Sequence, residues 1–254
     1  MDVKEALSKG GGGRHPWEAA RLRVVRDLLR RRMPDFGAEG DALLDLGCGD
    51  GYVLGELARS HPLARFVGVD SALSPDMVEK INAQNRNVRA FARLETLPKK
   101  IRTVLLLDVL EHVEDDSGFL REIAAKPELA EAEFFITVPA FTRLFSHHDR
   151  LLGHFRRYSL AQLRETASKA GLAVLHGGYF FFSLLPFRMW RAFLDSKAPF
   201  DPSKTTGVAG WKGGGLFDAV VASLLYADYK AGVLLNKLGL TPPGLSCFVI
   251  CKRP

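Results

Sequence analysis

The chain has 254 residues, of which 47% are hydrophobic and 25% charged, and a formal net charge of +6. This describes an ordinary soluble globular protein, long enough to bury one full core with elaborations. It excludes a disordered chain, and no stretch approaches the ~18 uninterrupted apolar residues of a spanning helix.

Residues 1–14, with the glycine run Gly10 to Gly13, read as a disordered tail lacking the apolar core of a signal peptide. A helix is predicted from Pro16 to Arg32, with proline in its first turn and Trp17, Ala20, Val24 and Leu28 on one stripe. His15, Trp17 and Arg21 fall together at its start. They either form a lid over a ligand, with Trp17 and Arg21 touching a bound substrate, or simply pack the helix on a sheet. The arginines of this helix, with Arg156 and Arg157, carry part of the positive excess. That excess suits an acidic substrate, an anionic lipid or nucleic acid, or merely a solvated helix face.

The organising stretch follows. The apolar strand Ala42 to Leu46 carries Asp45 and runs into Gly47-Cys48-Gly49-Asp50-Gly51, after which a helix-compatible run extends from Tyr52 to Arg59. Strand, glycine turn and helix make the first unit of a doubly wound α/β sheet, where ligands sit at the carboxyl ends of the strands. The spacing is G-x-G-x-G, not the G-x-G-x-x-G of dinucleotide binders, which argues against an NAD-linked oxidoreductase. Asp45 ahead of the turn suits a ligand with an ammonium group and would repel a pyrophosphate.

Strand two, Arg65 to Asp70, ends in a carboxylate placed to accept a ribose diol. Ser74-Pro75 opens a helix to about Ala83, and Asn87 to Phe91 is a short third strand. Strand four, Thr103 to Asp108, is apolar throughout its length, as befits a strand covered on both faces, and it leads into Leu110-Glu111-His112-Val113.

Asp45-x-Gly47-x-Gly49-x-Gly51 resembles motif I of the class I S-adenosylmethionine (SAM) dependent methyltransferases. The stretch Asp108 to Val113 resembles the D/E-x-x-E-H-V motif of the subgroup that includes the ubiquinone-biosynthesis O-methyltransferases. The resemblance implies SAM as cofactor and a Rossmann-like, seven-stranded sheet with an antiparallel last strand. It implies cofactor contacts at Asp45, Gly47, Cys48, Gly49, Gly51, Asp70 and Asp108. Relatives often carry an acid for the adenine amino group after strand three. Here Arg93 stands at that position within Ala92 to Pro98 and is left out of the site. Part of the subgroup holds a divalent metal at the positions of Asp108, Glu111 and His112, but many relatives use none, so no metal is expected. The stretch lacks the acid or asparagine, prolines and aromatic that grip a flipped base, which argues against amino-directed nucleic-acid methylation.

A helix from Ser117 to Ala125 leads to strand five, Glu133 to Pro139. The loop beyond it, Phe145 to Tyr158, gathers three histidines, an acid, three arginines and a tyrosine. It resembles a stretch of the type 11 and 12 bacterial methyltransferases. Methyl transfer to a hydroxyl needs the acceptor about 3 Å from the methyl carbon and a base for its proton. His148 or His154, oriented by Asp149, are the candidates for that base, whereas His147 reads as structural. Arg156, Arg157 and Tyr158 are candidates for substrate contact through a carboxylate or phosphate.

Ser159 and Gln162 form a capping box for a helix that stops at Gly171, followed by strand six, Ala173 to Phe182, and strand seven, Leu245 to Cys251. Cys247 and Cys251 on that strand are too far apart to bridge, which with Cys48 suits a reducing cytoplasm. Residues 15–183 and 245–254 are thus expected to form the methyltransferase domain, and residues 184–244 a helical insertion. The insertion includes an aromatic run around Trp190, a Gly/Lys-containing loop and a helix from Leu216 to Leu238. That helix is expected to bury Phe217, Val220, Val221, Leu224, Leu225, Leu234 and Leu235. The insertion serves as a cap over the pocket, a dimer contact or a peripheral contact with the inner membrane face. The expected function is methyl transfer, to oxygen, on a small or lipid-like acceptor. The alternatives are a non-catalytic SAM-binding regulatory or scaffold protein, and an RNA methyltransferase.

Overall fold

The computed structural model describes residues 14–94, 97–197 and 213–254, with side chains omitted for 195–197. The expected N-terminal tail, the end of the Ala92 to Pro98 motif and the Gly/Lys-containing loop of the insertion fall wholly or partly outside these residues.

Helix α1 (Pro16–Arg32) precedes the first strand, and its expected stripe of Ala20, Val24 and Leu28 is buried. The strands are β1 (Ala42–Leu46), β2 (Arg65–Val69), β3 (Val88–Phe91), β4 (Ile101–Leu107), β5 (Glu133–Pro139), β6 (Ala173–Phe180) and β7 (Ser246–Lys252). They form one seven-stranded sheet in the order β3-β2-β1-β4-β5-β7-β6. Pairing is parallel except where β7 runs antiparallel to β5 and β6. The strand order reverses between β1 and β4, and that switch point opens the crevice in which such sheets hold ligands.

Alternate residues of each strand feed opposite cores, the period-two consequence of the pleat. Leu43, Leu105, Phe135 and Ile250 face α1, α2 (Tyr52–Ser60) and α3 (Pro75–Gln84). Leu44, Val104, Ile136 and Val249 face α4 (Asp116–Ala124) and α6 (Leu160–Lys169).

Two elements depart from the sequence reading. The histidine-rich stretch is not wholly loop: Ser146 and Asp149 make a capping box that starts a short helix, α5 (His147–Leu152). The insertion contributes α7 (Leu185–Lys197) and α8 (Gly215–Lys237). Helix α8 buries only part of the face expected: Leu225 is buried and Val221 and Leu235 are half-buried. Ala222, Leu225, Asp228, Tyr229 and Gly232 are turned inward, while Phe217, Val220, Leu224 and Leu234 are exposed.

The cause is polar pairing. The Tyr229 hydroxyl donates to Asp27 at 2.8 Å and Lys230 pairs with the same carboxylate at 3.1 Å. Asp228 accepts from the backbone N–H groups of Phe182 and Ser183 at 2.9 and 2.8 Å. A helix apolar on most sides seats the face whose polar groups find partners. Among the described residues no helix is long and apolar enough to cross a membrane.

Candidate active site

The glycine turn is built for close approach. Gly47, Gly49 and Gly51 have φ of 76°, 57° and 75°, in the left-handed region that glycine adopts without penalty. A Cβ on Gly47 would stand 2.5 Å from Val109 Cγ2. Asp70 leaves β2 beside this turn, one carboxylate oxygen accepting from Gly49 N–H at 2.9 Å and the other from Ala72 N–H at 2.9 Å.

A cleft of about 600 Å³ opens here, lined by Gly47, Asp70, Ala92, Arg93, Asp108 and Val109 among others. Cys48 is packed inward, its Sγ directed at Gly68, and it does not line the cleft. Arg93, omitted on the sequence reading, lines the wall where an acid was sought.

Asp45 lies beneath the turn, 2% exposed, and its Oδ1 has no hydrogen-bond partner among the described residues. Burial pushes its carboxyl up to about 7, against the attraction of Arg21. The unfolded chain loses this proton near the ordinary carboxylate range of about 4, whereas the native protein keeps it. Stability is therefore expected to fall as pH rises from about 4 to 7. Asp45→Asn should flatten that part of a urea-denaturation pH profile, and an identical slope in the variant would refute the assignment.

A second cleft, of about 470 Å³, lies on the other side of Asp108. The two clefts share Asp108, His112 and Leu152. Asp108 has φ 58°, unusual for a residue with a side chain, and such strain collects at functional positions. Its N–H donates to Thr137 O at 2.9 Å and its Oδ1 accepts from the Thr137 hydroxyl at 3.0 Å. Its other oxygen pairs with Arg21, which is 2% exposed and stacked 4.5 Å over the Trp17 ring. The segment just ahead of α1 is also tied to the glycine turn, by the Arg14–Asp50 ion pair at 2.5 Å. Trp17, Arg21, His148, His154 and Arg157 all line the second cleft.

Beneath this cleft lies Asp149, with no exposed surface. It accepts from Ser146 N–H at 2.8 Å, the Ser146 hydroxyl at 3.0 Å, His154 Nδ1 at 3.0 Å and Arg157 Nε at 2.7 Å. Burial opposes its charge, yet His154, Arg157 and the Ser146 backbone outweigh that and hold its carboxyl well below the usual range. Asp149 takes the Nδ1 side of the His154 ring, so Nε2 is the ring nitrogen turned away from that carboxylate. His148 is held below its ordinary value, first by burial, which keeps it a neutral base. Arg188 of α7, absent from the sequence reading, donates to the Ser146 hydroxyl at 2.7 Å and reaches Asp149 at 3.5 Å.

Three expectations change. Arg156 points away from the cleft, pairing with Asp116 at 3.2 Å and the Glu114 carbonyl at 2.5 Å. Tyr158 is buried, its hydroxyl donating to Asp116 at 2.8 Å, so it braces β5 and α4 instead of meeting substrate. Asp108 stands apart from the group of possible metal ligands, which consists of Glu111, His112 and His154. Burial and the Asp108 carboxylate push the Glu111 carboxyl well above its usual range. Neither of its oxygens has a hydrogen-bond partner among the described residues.

A methyltransferase-domain family model matches residues 17–177. The chain is 29% identical over 143 residues to the ubiquinone biosynthesis O-methyltransferase of Methylobacterium sp. (strain 4-46), covering 52% of this chain and 57% of that one. It is 36% identical over 121 residues to the enzyme of the same name from Azorhizobium caulinodans, covering 42% and 46%. The chain spans about half the length of these curated relatives.

Among solved structures it is similar to the geranyl diphosphate C-methyltransferase of Streptomyces coelicolor A3(2), at TM-score 0.55 and 14% identity over 93% of this chain and 81% of that one. It is also similar to coclaurine N-methyltransferase bound to N-methylheliamine and SAH, at TM-score 0.53 and 16% identity over 92% and 73%. These likenesses show the fold. With its glycine turn, strand order and matched length, the chain belongs to the methyltransferase-domain family, as a class I SAM-dependent member.

Proposed function

We propose that the protein transfers the methyl group of SAM to an oxygen of a small or lipid-like acceptor. The observation that carries this reading is the junction of the two clefts at Asp108 and His112, with His148 and His154 facing the second. In the glycine-turn cleft Asp70 takes the ribose diol, whereas Asp45 is buried beneath the turn and does not line the cleft. A sulfonium methyl held in that cleft would meet the second cleft at Asp108 and His112, two of the residues the clefts share. The acceptor hydroxyl attacks in line: its oxygen–methyl bond forms as the sulfur–methyl bond breaks. The acceptor's proton passes to a histidine, and neutral S-adenosylhomocysteine leaves.

The wall of the acceptor cleft supports an apolar acceptor. Leu184, Phe187, Val221, Leu225 and Leu245 line it, and Phe187 and Trp190 are exposed at 62% and 56% on α7. An insertion that presents these side chains together with the outward apolar face of α8 suits a cap resting on a membrane surface. The arginines of α1 argue against a nucleic-acid footprint, because Arg21, Arg26, Arg31 and Arg32 are each in an ion pair within the chain.

Transfer of label from methyl-labelled SAM into the lipid fraction of an extract is the expected result. His148→Ala or His154→Ala should lower that rate about 100-fold or more with S-adenosylhomocysteine affinity retained. Parental rates in both variants would remove the histidines from the mechanism. Retained cofactor binding without labelled product from any fraction would favour a SAM-binding regulatory protein.

A further inference from the structure

Helices α1 and α8 are tied together where Tyr229 and Lys230 meet Asp27. Beyond that tie, toward the last turns of both helices, a third cleft of about 420 Å³ opens over β6 and β7. It lies toward Glu133, the first residue of β5 and the partner of Arg32, away from the strand ends that carry the other two clefts. It shares no lining residue with either of them.

The floor of this cleft is apolar. Leu28, Phe248 and Ile250 are buried, and Val233 is half-buried beside them. The groups around the floor are mainly donors. Arg31, Arg32 and Lys237 line the cleft, and no carboxylate does so among the described residues. Arg31 is steadied by Asp27 through Nε at 2.6 Å, and Arg32 by Glu133 through Nε and Nη2 at 3.1 and 2.6 Å. Each guanidinium therefore keeps N–H groups that those acids do not take. Lys237 is exposed and makes no ion pair among the described residues. The Thr241 hydroxyl donates to Asn236 Oδ1 at 2.7 Å, which leaves the amide NH₂ as that side chain's contribution. The His176 ring packs edge to face with Phe248, centroids 5.6 Å apart. Desolvation, then the charges of Arg32, Arg164 and Arg31, hold this histidine below its ordinary value, so the charges acting on it are all positive. Basic side chains in a last turn offset a helix dipole, but that role needs no apolar floor beneath them.

We propose that this third cleft binds a small amphipathic carboxylate, with its apolar body on Phe248, Ile250 and Val233 and its charge among Lys237, Asn236 and Arg31. The lining repels a cation, and a bare inorganic anion leaves the apolar floor wet. The same two helices wall the acceptor cleft through Trp17, Arg21, Val221 and Leu225, so a ligand seated here buttresses both walls.

The test uses neither cofactor nor methyl acceptor, so it stands or falls apart from the proposed reaction. Full-length protein is titrated calorimetrically with octanoate, octylamine, 1-octanol and acetate. The expected result is one octanoate per chain, bound at least tenfold more tightly than the other three. Lys237→Glu should weaken octanoate at least tenfold. Lys80→Glu, the same change of charge at an exposed position of α3, should leave its affinity within about twofold. Val233→Trp, which fills the cleft, should abolish binding while circular dichroism shows native helix content. Octanoate that binds the parent, Lys237→Glu and Val233→Trp alike is held elsewhere, and that result overturns the proposal. So does an absence of octanoate binding, or octylamine or octanol binding as tightly as octanoate.

Discussion

Asp149→Ala is expected to remove about 3–5 kcal/mol of stability, the cost of breaking a buried ion pair from one side. Arg157 is only 8% exposed, and its Nε has Asp149 as its carboxylate partner at 2.7 Å. Without that carboxylate a guanidinium stays buried, retaining the Ala140 carbonyl at 3.2 Å as a neutral acceptor. The Ser146 N–H at the start of α5 and His154 Nδ1 lose their acceptor at the same time. Asp149→Asn keeps an oxygen acceptor and should cost less than half as much. Urea denaturation at neutral pH measures both, and a loss below about 1 kcal/mol for the alanine variant would show that Arg157 finds another partner or reaches water. The consequence reaches function, because this one carboxylate holds His154, Arg157 and the capping turn that presents His148.

Gly47→Ala is expected to damage the cofactor cleft more than any other single methyl in the turn. The added Cβ would lie 2.5 Å from Val109 Cγ2 at a backbone φ of 76°. The left-handed conformation alone costs about 1–2 kcal/mol for a residue with a Cβ. The clash adds a displacement of Val109, which follows Asp108 directly and lines the same cleft. Affinity for S-adenosylhomocysteine should fall at least tenfold, about 1.4 kcal/mol, along with the loss in stability. Gly40→Ala is the control: its φ is 91°, but nothing lies within 4 Å of the new Cβ. It should lose stability and keep affinity. Equal affinity losses in both variants would mean that general destabilisation, not cleft geometry, sets cofactor binding.

The parts of the fold legible in the sequence were those governed by short-range rules. The apolar runs of β1 and β5 and the proline-started α1 have the bounds expected of them. The G-x-G-x-G turn appears with the positive φ values that its spacing demands. What escaped depends on partners distant in the chain. The outward face of α8 could not be read because Asp228 and Tyr229, polar by type, are turned inward by Phe182, Ser183 and Asp27.

The pair Arg156-Arg157 divides the same way. Adjacent residues on an extended segment point to opposite sides, so one arginine reaches Asp149 under the cleft and the other Asp116 outside it. The capping box of Ser146 and Asp149 is the local signal in the sequence for α5, a six-residue helix too short to show an apolar period. The proximity of His154 to Glu111 and His112 needed the tertiary structure, since docking of the 154–157 segment onto the 110–112 turn creates it.

The most direct test of the account is calorimetric titration of the full-length protein with S-adenosylhomocysteine, beside Asp70→Ala. The clefts and the turn predict saturable binding of one equivalent, weakened at least tenfold in the variant, because Asp70 lies at the mouth of the turn and lines the cleft. No heat of binding to folded protein, or equal affinity in the variant, would contradict the assignment of the glycine-turn cleft to SAM.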